Sequence, residues 1–259
     1  MELTSGIRKL VASLCDVKHR REHGLFVAEG TKCVIDTFEA FRCRYLFANA
    51  KWIAENPSIA NQVDCIVVKN DDLRRMSSLS TQPPVIAVYD IPENRGISVE
   101  TAQDRIVLAL DRVQDPGNLG TIIRIADWFG ITDIVCSLDT VDVYNPKTVQ
   151  ATMGAISRVN VAYVDLADFL SKATDEKIPV YGTFLDGENI YNTPLSTNGI
   201  IVMGNEGKGI SPEVESHVKS RLLIPHFSTD GNLPSSDSLN VAMATAVIVA
   251  EFRRRSFNF

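Results

Sequence analysis

The sequence predicts an α/β protein built on a mainly parallel sheet, preceded by a smaller α/β domain. Residues 106–110 (IVLAL), 200–203 (IIVM) and 222–225 (LLIP) are apolar throughout rather than alternating, the mark of strands buried on both faces. Runs of this kind alternate with helical patterns, as in a parallel sheet covered by helices. Each of the three is followed by a polar stretch bearing glycine or asparagine. In an open parallel sheet the ligand crevice lies beyond the carboxyl ends of the strands, so these turns read as one site assembled from three places.

Taken in order, residues 4–18 place Ile7, Leu10, Val11 and Leu14 on one face of an amphipathic helix, with basic residues on the wet side. Strands follow at 25–28, 45–48, 65–68 and 85–89, with a helix at 31–41 and further helices between, which makes residues 1–90 a self-contained domain. Residues 91–103, IPENRGISVETAQ, hold a proline and a glycine but no apolar period and read as a linker. Residues 104–259 form the second domain. Its strands fall near 106–110, 133–136, 159–163, 178–183, 200–203 and 221–224, its helices near 118–129, 146–156, 166–173, 212–217 and 238–254. Ser238 is the expected N-cap of the last helix. Alanines at 242, 244, 246 and 250 would let that helix approach closely either a second subunit or another part of the same chain.

A hydrophobic fraction of 45% is ordinary for a globular protein and predicts a packed core. No apolar run approaches the ~20 residues that span a bilayer, and MELTSGIRKL lacks the apolar centre of a signal peptide; the expectation is a soluble, cytoplasmic chain. Five cysteines, at 15, 33, 43, 65 and 136, form no C-x-x-C pair, and the four histidines show no zinc-ligand spacing. Reduced, mostly buried thiols and no metal site are expected. The net charge of −6 argues against non-specific coating of nucleic acid, yet it is unevenly spread. Residues 1–90 hold 12 Lys/Arg and 11 Asp/Glu, the remainder 14 and 21. A polyanion should therefore prefer the first domain, and within it Lys18, His19, Arg20 and Arg21, with Arg8 and Lys9. A solvated helix end accounts for the same charges.

The turn after residue 203, GNEGKGIS, is not a P-loop: Ile210 stands where lysine is needed after Gly209. Nor does it contain G-x-G-x-x-G, since position 212 is proline. Gly204, Gly207 and Gly209 suit a backbone that must come close to a flat ligand, with Asn205 and Glu206 offering polar contacts; a plain tight turn is the alternative. The turn after residue 110, DPGNLGTIIR, adds Asn118 and Arg124. The neighbouring Ile122, Ile123 and Ile125 suggest a partly buried helix, with the Arg124 guanidinium in a cleft suited to an anion such as phosphate.

Together the three stretches resemble the motifs of the SpoU/TrmH family, the RNA 2'-O-ribose methyltransferases of the SPOUT superfamily. Asn118, Gly120 and Arg124 match the first motif. Gly204, Asn205, Glu206, Gly207 and Gly209 match the second, and Ile224, Pro225, Ser238, Leu239, Asn240 and Val241 the third. KHRREHGLFVAEG, at 18–30, looks like the substrate-binding domain often fused ahead of that catalytic domain.

The resemblance implies a SPOUT α/β knot, in which the C-terminal segment threads a deep trefoil, an exception to unknotted topology. It also implies S-adenosylmethionine bound in the knot, RNA (ribosomal or transfer) as substrate, and a homodimer formed through the knotted domain. Thr183, Gly204, Asn205, Gly207, Ile224 and Leu239 would hold the cofactor. Arg124 would be catalytic, with Asn118, Glu206, Ser238 and Asn240 orienting it or the substrate. Because arginine is normally a donor only, Arg124 is expected to grip phosphate and stabilise the developing alkoxide, the proton acceptor being left open. Two departures stand out: twelve residues, HFSTDGNLPSSD, separate Pro225 from Ser238, and Ala242 stands where serine is common. His226 reads as a polar loop residue. The rival reading is a catalytically silent RNA-binding or ribosome-assembly factor that kept the fold.

Overall fold

The computed structural model describes residues 2–93, 96–227 and 238–256. Of the long 226–237 loop, only His226 and Phe227 fall within the described residues. The chain divides into two compact units: Met1–Asn94 with Asp142–Arg158, and Arg95–Val141 with Val159–Phe259.

The first unit runs α1 (Ser5–Ser13), α2 (Val17–His23), β1 (Leu25–Glu29), α3 (Thr31–Thr37), β2 (Cys43–Ala48), α4 (Ala50–Glu55), α5 (Pro57–Ala60), β3 (Cys65–Val67), α6 (Asn70–Met76) and β4 (Val85–Asp90). Its four strands form one mixed sheet in the order β1-β4-β2-β3, with only β2 and β3 parallel. The expected helix over 4–18 is two helices. Asp16 breaks it by accepting a hydrogen bond from the Lys18 amide at 2.7 Å, which caps a new helix. Gly24, at φ +62°, ends that second helix in the left-handed conformation glycine tolerates. Val11 and Leu14 are buried in the unit's core, with Ile7 and Leu10 packed against it, as their spacing predicts.

The segment after position 141 also belongs to this unit. It contains α9 (Pro146–Thr152), where the sequence predicts a helix, although the sequence reading assigns the segment to the second domain. Asp142 and Tyr144 explain the difference: the first pairs with Arg20 and the second packs its ring on Phe26.

The second unit runs α7 (Thr101–Asp104), β5 (Ile106–Leu110), α8 (Pro116–Trp128), β6 (Asp133–Ser137), β7 (Asn160–Val164), α10 (Leu166–Asp175), β8 (Val180–Asn189), β9 (Gly199–Met203), α11 (Pro212–Glu215), β10 (Ser220–Leu223) and α12 (Val241–Ser256). Its six strands take the order β10-β8-β9-β5-β6-β7, and every neighbouring pair is parallel. β5 and β9 are buried along their whole length, as their unbroken apolar runs predict. The end of the expected linker is not irregular: α7 begins inside it, and Val99 and Ala102 enter the core cluster.

Helices α8 and α12 lie side by side and are pinned at both ends. At one end Asn240 meets Asn118. At the other, Arg253 donates to the carbonyl of Phe129, the C-cap of α8, at 2.7 Å and to that of Gly130, just beyond it, at 2.9 Å. No helix among the described residues is long and apolar enough to cross a membrane.

Candidate active site

Turns follow β5 and β9, and local chemistry fixes both. After β5, Asp115 caps α8 by accepting from the Asn118 amide at 2.8 Å, and Pro116 occupies the first helical turn, where its missing N–H costs nothing. This places the Asn118 side chain at the mouth of the helix. After β9, Asn205 closes its turn on itself. Its main chain exchanges hydrogen bonds with Gly209 at 3.0 and 2.9 Å, and its side-chain oxygen accepts from the amides of Gly207 (3.0 Å) and Lys208 (3.1 Å). The Asn205 amide nitrogen then donates to the Arg112 carbonyl at 2.8 Å, tying this turn to the one after β5.

Gly204 is required by that turn. A Cβ there would stand 2.4 Å from the backbone of Gly209 and Ile210, so its bareness serves contact within the loop. Gly209 sits at φ +68°. Gly207 has no such need, since its nearest neighbour would be 3.8 Å away.

Asn240 stands at the start of α12. The sequence places the N-cap of the last helix at Ser238; the structure gives that role to Asn240, whose side-chain oxygen accepts from Ala242 at 3.0 Å and Met243 at 3.4 Å. Its amide nitrogen donates to Asn118 Oδ1 at 3.0 Å, and Asn118 Nδ2 donates to Glu206 Oε1 at 2.7 Å. One residue from each motif thus joins a single chain, Asn240 to Asn118 to Glu206. The amide orientations follow from it, because a flipped Asn118 would turn its oxygen toward the carboxylate.

The remaining predicted residues divide. Thr183, Gly204 and Ile224 stand at or just beyond the ordered pairing of β8, β9 and β10, and all three are half-buried. β8 leaves its register with β10 between Gly182 and Glu188, so Thr183 opens a bulge in which the Arg221 guanidinium lies 3.5 Å over the Phe184 ring. Leu239 and Ser238 are exposed. Arg124 is not in a cleft. Ile122 and Ile123 are buried, which turns position 124 outward, and its guanidinium has no partner among the described residues.

Lys18 and Arg21 are exposed and His19 half-buried, so all three are available to a polyanion. Arg20 is not: it is 1% exposed. Its guanidinium donates to Asp142 at 2.6 and 2.9 Å and to the carbonyls of Leu14 and Cys15 at 2.8 and 2.9 Å. A cation so enclosed and fully paired holds its own fold together rather than gripping RNA.

The sequence reading gave no role to Asp111 and Arg112. Asp111, 2% exposed, accepts from the Ser211 amide at 2.6 Å and so connects the β5 end to the start of α11. Arg112 holds φ +57°, with its amide bonded to Ser137 Oγ at 2.8 Å and its carbonyl taken by Asn205. The available signal was a carboxylate ending an otherwise apolar strand. A cleft of about 240 Å³ lies beside these residues at the ends of β5, β6 and β7. None of the predicted cofactor residues lines that cleft.

The comparisons decide the family. Residues 105–250, more than half of the chain, match the model of the SpoU rRNA methylase family. The chain belongs to that family. Residues 7–87 match the MRM3-like substrate binding domain. The 23S rRNA (guanosine(2553)-2'-O)-methyltransferase RlmP of Bacillus subtilis is 31% identical over 192 residues, which are 74% of this chain and 73% of that protein. A TrmH-family protein of Porphyromonas gingivalis superposes with a TM-score of 0.86 at 40% identity, covering 98% of this chain and 99% of the other. An AdoMet-bound rRNA methyltransferase of Sinorhizobium meliloti superposes at 0.84 with 28% identity, covering 100% and 99%. As a SpoU-family chain, it has the mainly parallel α/β fold that its sequence predicts.

Proposed function

We propose that this protein transfers the methyl group of S-adenosylmethionine to a ribose 2'-hydroxyl of ribosomal RNA. The observation that carries the reading is the hydrogen-bonded chain Glu206–Asn118–Asn240, which unites the three family motifs. The names of the similar proteins above support RNA as the substrate class, and the family supports the cofactor.

The residues assigned to the cofactor fit it. Thr183, Gly204, Ile224 and Leu239 include no cation and would offer main-chain groups and apolar side chains to a ligand that carries a positive sulfonium, while Asn205 and the Gly207 amide are taken up in shaping the turn beside them. When bound, S-adenosylmethionine would supply an electrophilic methyl group for in-line displacement by the ribose oxygen. The protein's part is to hold nucleophile and methyl at near-attack distance and to steady the oxygen as its proton leaves. Asn118 and Glu206 position the sugar. Arg124, exposed on α8, grips a phosphate and stabilises the developing alkoxide.

The exposure of Arg124 also supports a homodimer, in which a second copy completes the site; Trp128 (84% exposed) on α8 and Met243 (59%) on α12 offer apolar surface for it. In this reading the C-terminal segment forms the family's trefoil knot, and residues 104–141 and 159–259 make up the methyltransferase domain, the 142–158 segment belonging to the first unit. Residues 1–90 hold the RNA through Lys18, His19 and Arg21, with residues 91–103 between the two, and the protein works in the cytoplasm.

The test is methyl transfer from labelled S-adenosylmethionine to ribosomal RNA, followed by mapping of ribose methylation. Label at one ribose position supports the proposal. Saturable RNA binding without cofactor binding or transfer would favour the silent factor.

A further inference from the structure

The short helix α2 carries an arrangement that methyl transfer does not use. His19, Glu22 and His23 stand at i, i+3 and i+4, positions that share one helical face. The two imidazoles are nearly parallel, at 11°, with centroids 6.2 Å apart, and His19 Nδ1 lies 3.7 Å from a Glu22 carboxylate oxygen. One donor atom from each residue lies within 4.8 Å of the other two, and among the described residues no other three His, Cys, Asp or Glu converge in this way.

We propose that His19, Glu22 and His23 form a surface site for a borderline divalent transition metal ion of the zinc and nickel class. Ligands held at ~2.1 Å in a tetrahedral shell stand about 3.4 Å apart. The His19–Glu22 contact is already near that separation, and the remaining approach needs only rotation of exposed side chains. Two imidazoles with a carboxylate favour zinc, nickel or copper over magnesium or calcium, which take oxygen ligands.

The backbone that presents them is held in place. Asp16 caps the start of α2, Gly24 ends it, and Arg20 anchors the helix through Asp142. Three protein ligands leave at least one coordination position for water or for a phosphate oxygen. The ion would add positive charge to a helix that already exposes Lys18 and Arg21. That last role rests on the RNA reading; metal binding itself does not. The sequence reading expects no metal site; the three residues nonetheless share one helical face, as H-x-x-E-H.

Calorimetric titration of the full chain with Ni²⁺, and separately with Zn²⁺, tests the site, whether or not the protein transfers methyl groups. The expected result is saturable binding of one ion per chain, weakened at least tenfold by His19→Asn and by His23→Asn, less by Glu22→Gln, and unchanged by Cys15→Ser. The side chains lie on the helix surface, so unchanged melting temperatures will show that the variants fold. Absence of saturable binding, or full affinity in both histidine variants, overturns the proposal.

Discussion

Asn118 donates to Glu206 at 2.7 Å across 88 positions of sequence, and it accepts from Asn240 on its other side. The amide does both because it carries a donor and an acceptor on one planar group, whereas a carboxylate could only accept. Asn118→Asp keeps the shape and reverses half of the hydrogen bonding, placing two carboxylates in contact. Methyl transfer should fall by about 10²-fold, the scale on which one positioned polar group acts at a reacting centre, with little change in melting temperature. Glu206→Gln in the same chain should recover part of the loss. A double variant no better than Asn118→Asp alone would show that the two side chains do not act together.

The two glycines of the β9 turn should respond differently to one added methyl group. Gly204→Ala drives a Cβ into the Gly209–Ile210 backbone and should destabilise the fold by about 1–3 kcal/mol, the usual cost of overpacking. It should also weaken S-adenosylmethionine binding. Gly207→Ala meets nothing nearer than 3.8 Å and should leave both properties close to wild type. Denaturant unfolding with cofactor titration separates the two outcomes.

Arg20 is a structural cation within a basic segment. Removing one partner of a buried pair leaves the other uncompensated, so Arg20→Ala should cost about 3 kcal/mol of unfolding free energy. Asp142→Asn should be destabilising in the same direction. Lys18→Ala and Arg21→Ala, both exposed, should lower RNA affinity without that loss. Urea unfolding beside RNA binding checks the contrast; weakened RNA binding with unchanged stability in Arg20→Ala would return that residue to the RNA surface.

Glu251, buried on α12, is held well below the usual carboxylate range, at about 2, by hydrogen bonds from Arg254 and Arg255. A depressed folded pKa means that the unfolded chain binds its proton first as pH falls. The stabilisation is therefore complete above the ordinary value of about 4.5 and is lost as pH drops through about 2. Arg255 also donates to the Thr193 and Ile190 carbonyls, at 2.6 and 2.8 Å. Glu251→Gln should flatten the decline in stability between those pH values, as measured by thermal unfolding across the acid range.

Much of the fold was legible because its signals are local. The unbroken apolar runs of β5 and β9 declare strands buried on both faces, and both are central in the sheet. The split of the first helix was legible in principle through Asp16, but an apolar period that continues to Leu14 hides it. The membership of 142–158 in the first unit was not legible, because it rests on partners such as Arg20 and Asp142 that are 122 positions apart. The site shows the same limit. Motif spacing singled out Asn118, Glu206 and Asn240 as candidates, yet only three-dimensional proximity reveals that they bond to one another and which donates to which. The isoleucines around Arg124 misled for a geometric reason: buried neighbours at 122 and 123 turn position 124 outward.

The most direct test compares Arg124→Ala with wild type in two measurements on the same preparation: the dissociation constant for S-adenosylmethionine and the rate of methyl transfer to ribosomal RNA. The account predicts cofactor affinity within a fewfold of wild type and a rate at least about 10³-fold lower, since the guanidinium acts on the sugar oxygen and not on the methyl donor. Turnover that survives the substitution would contradict it.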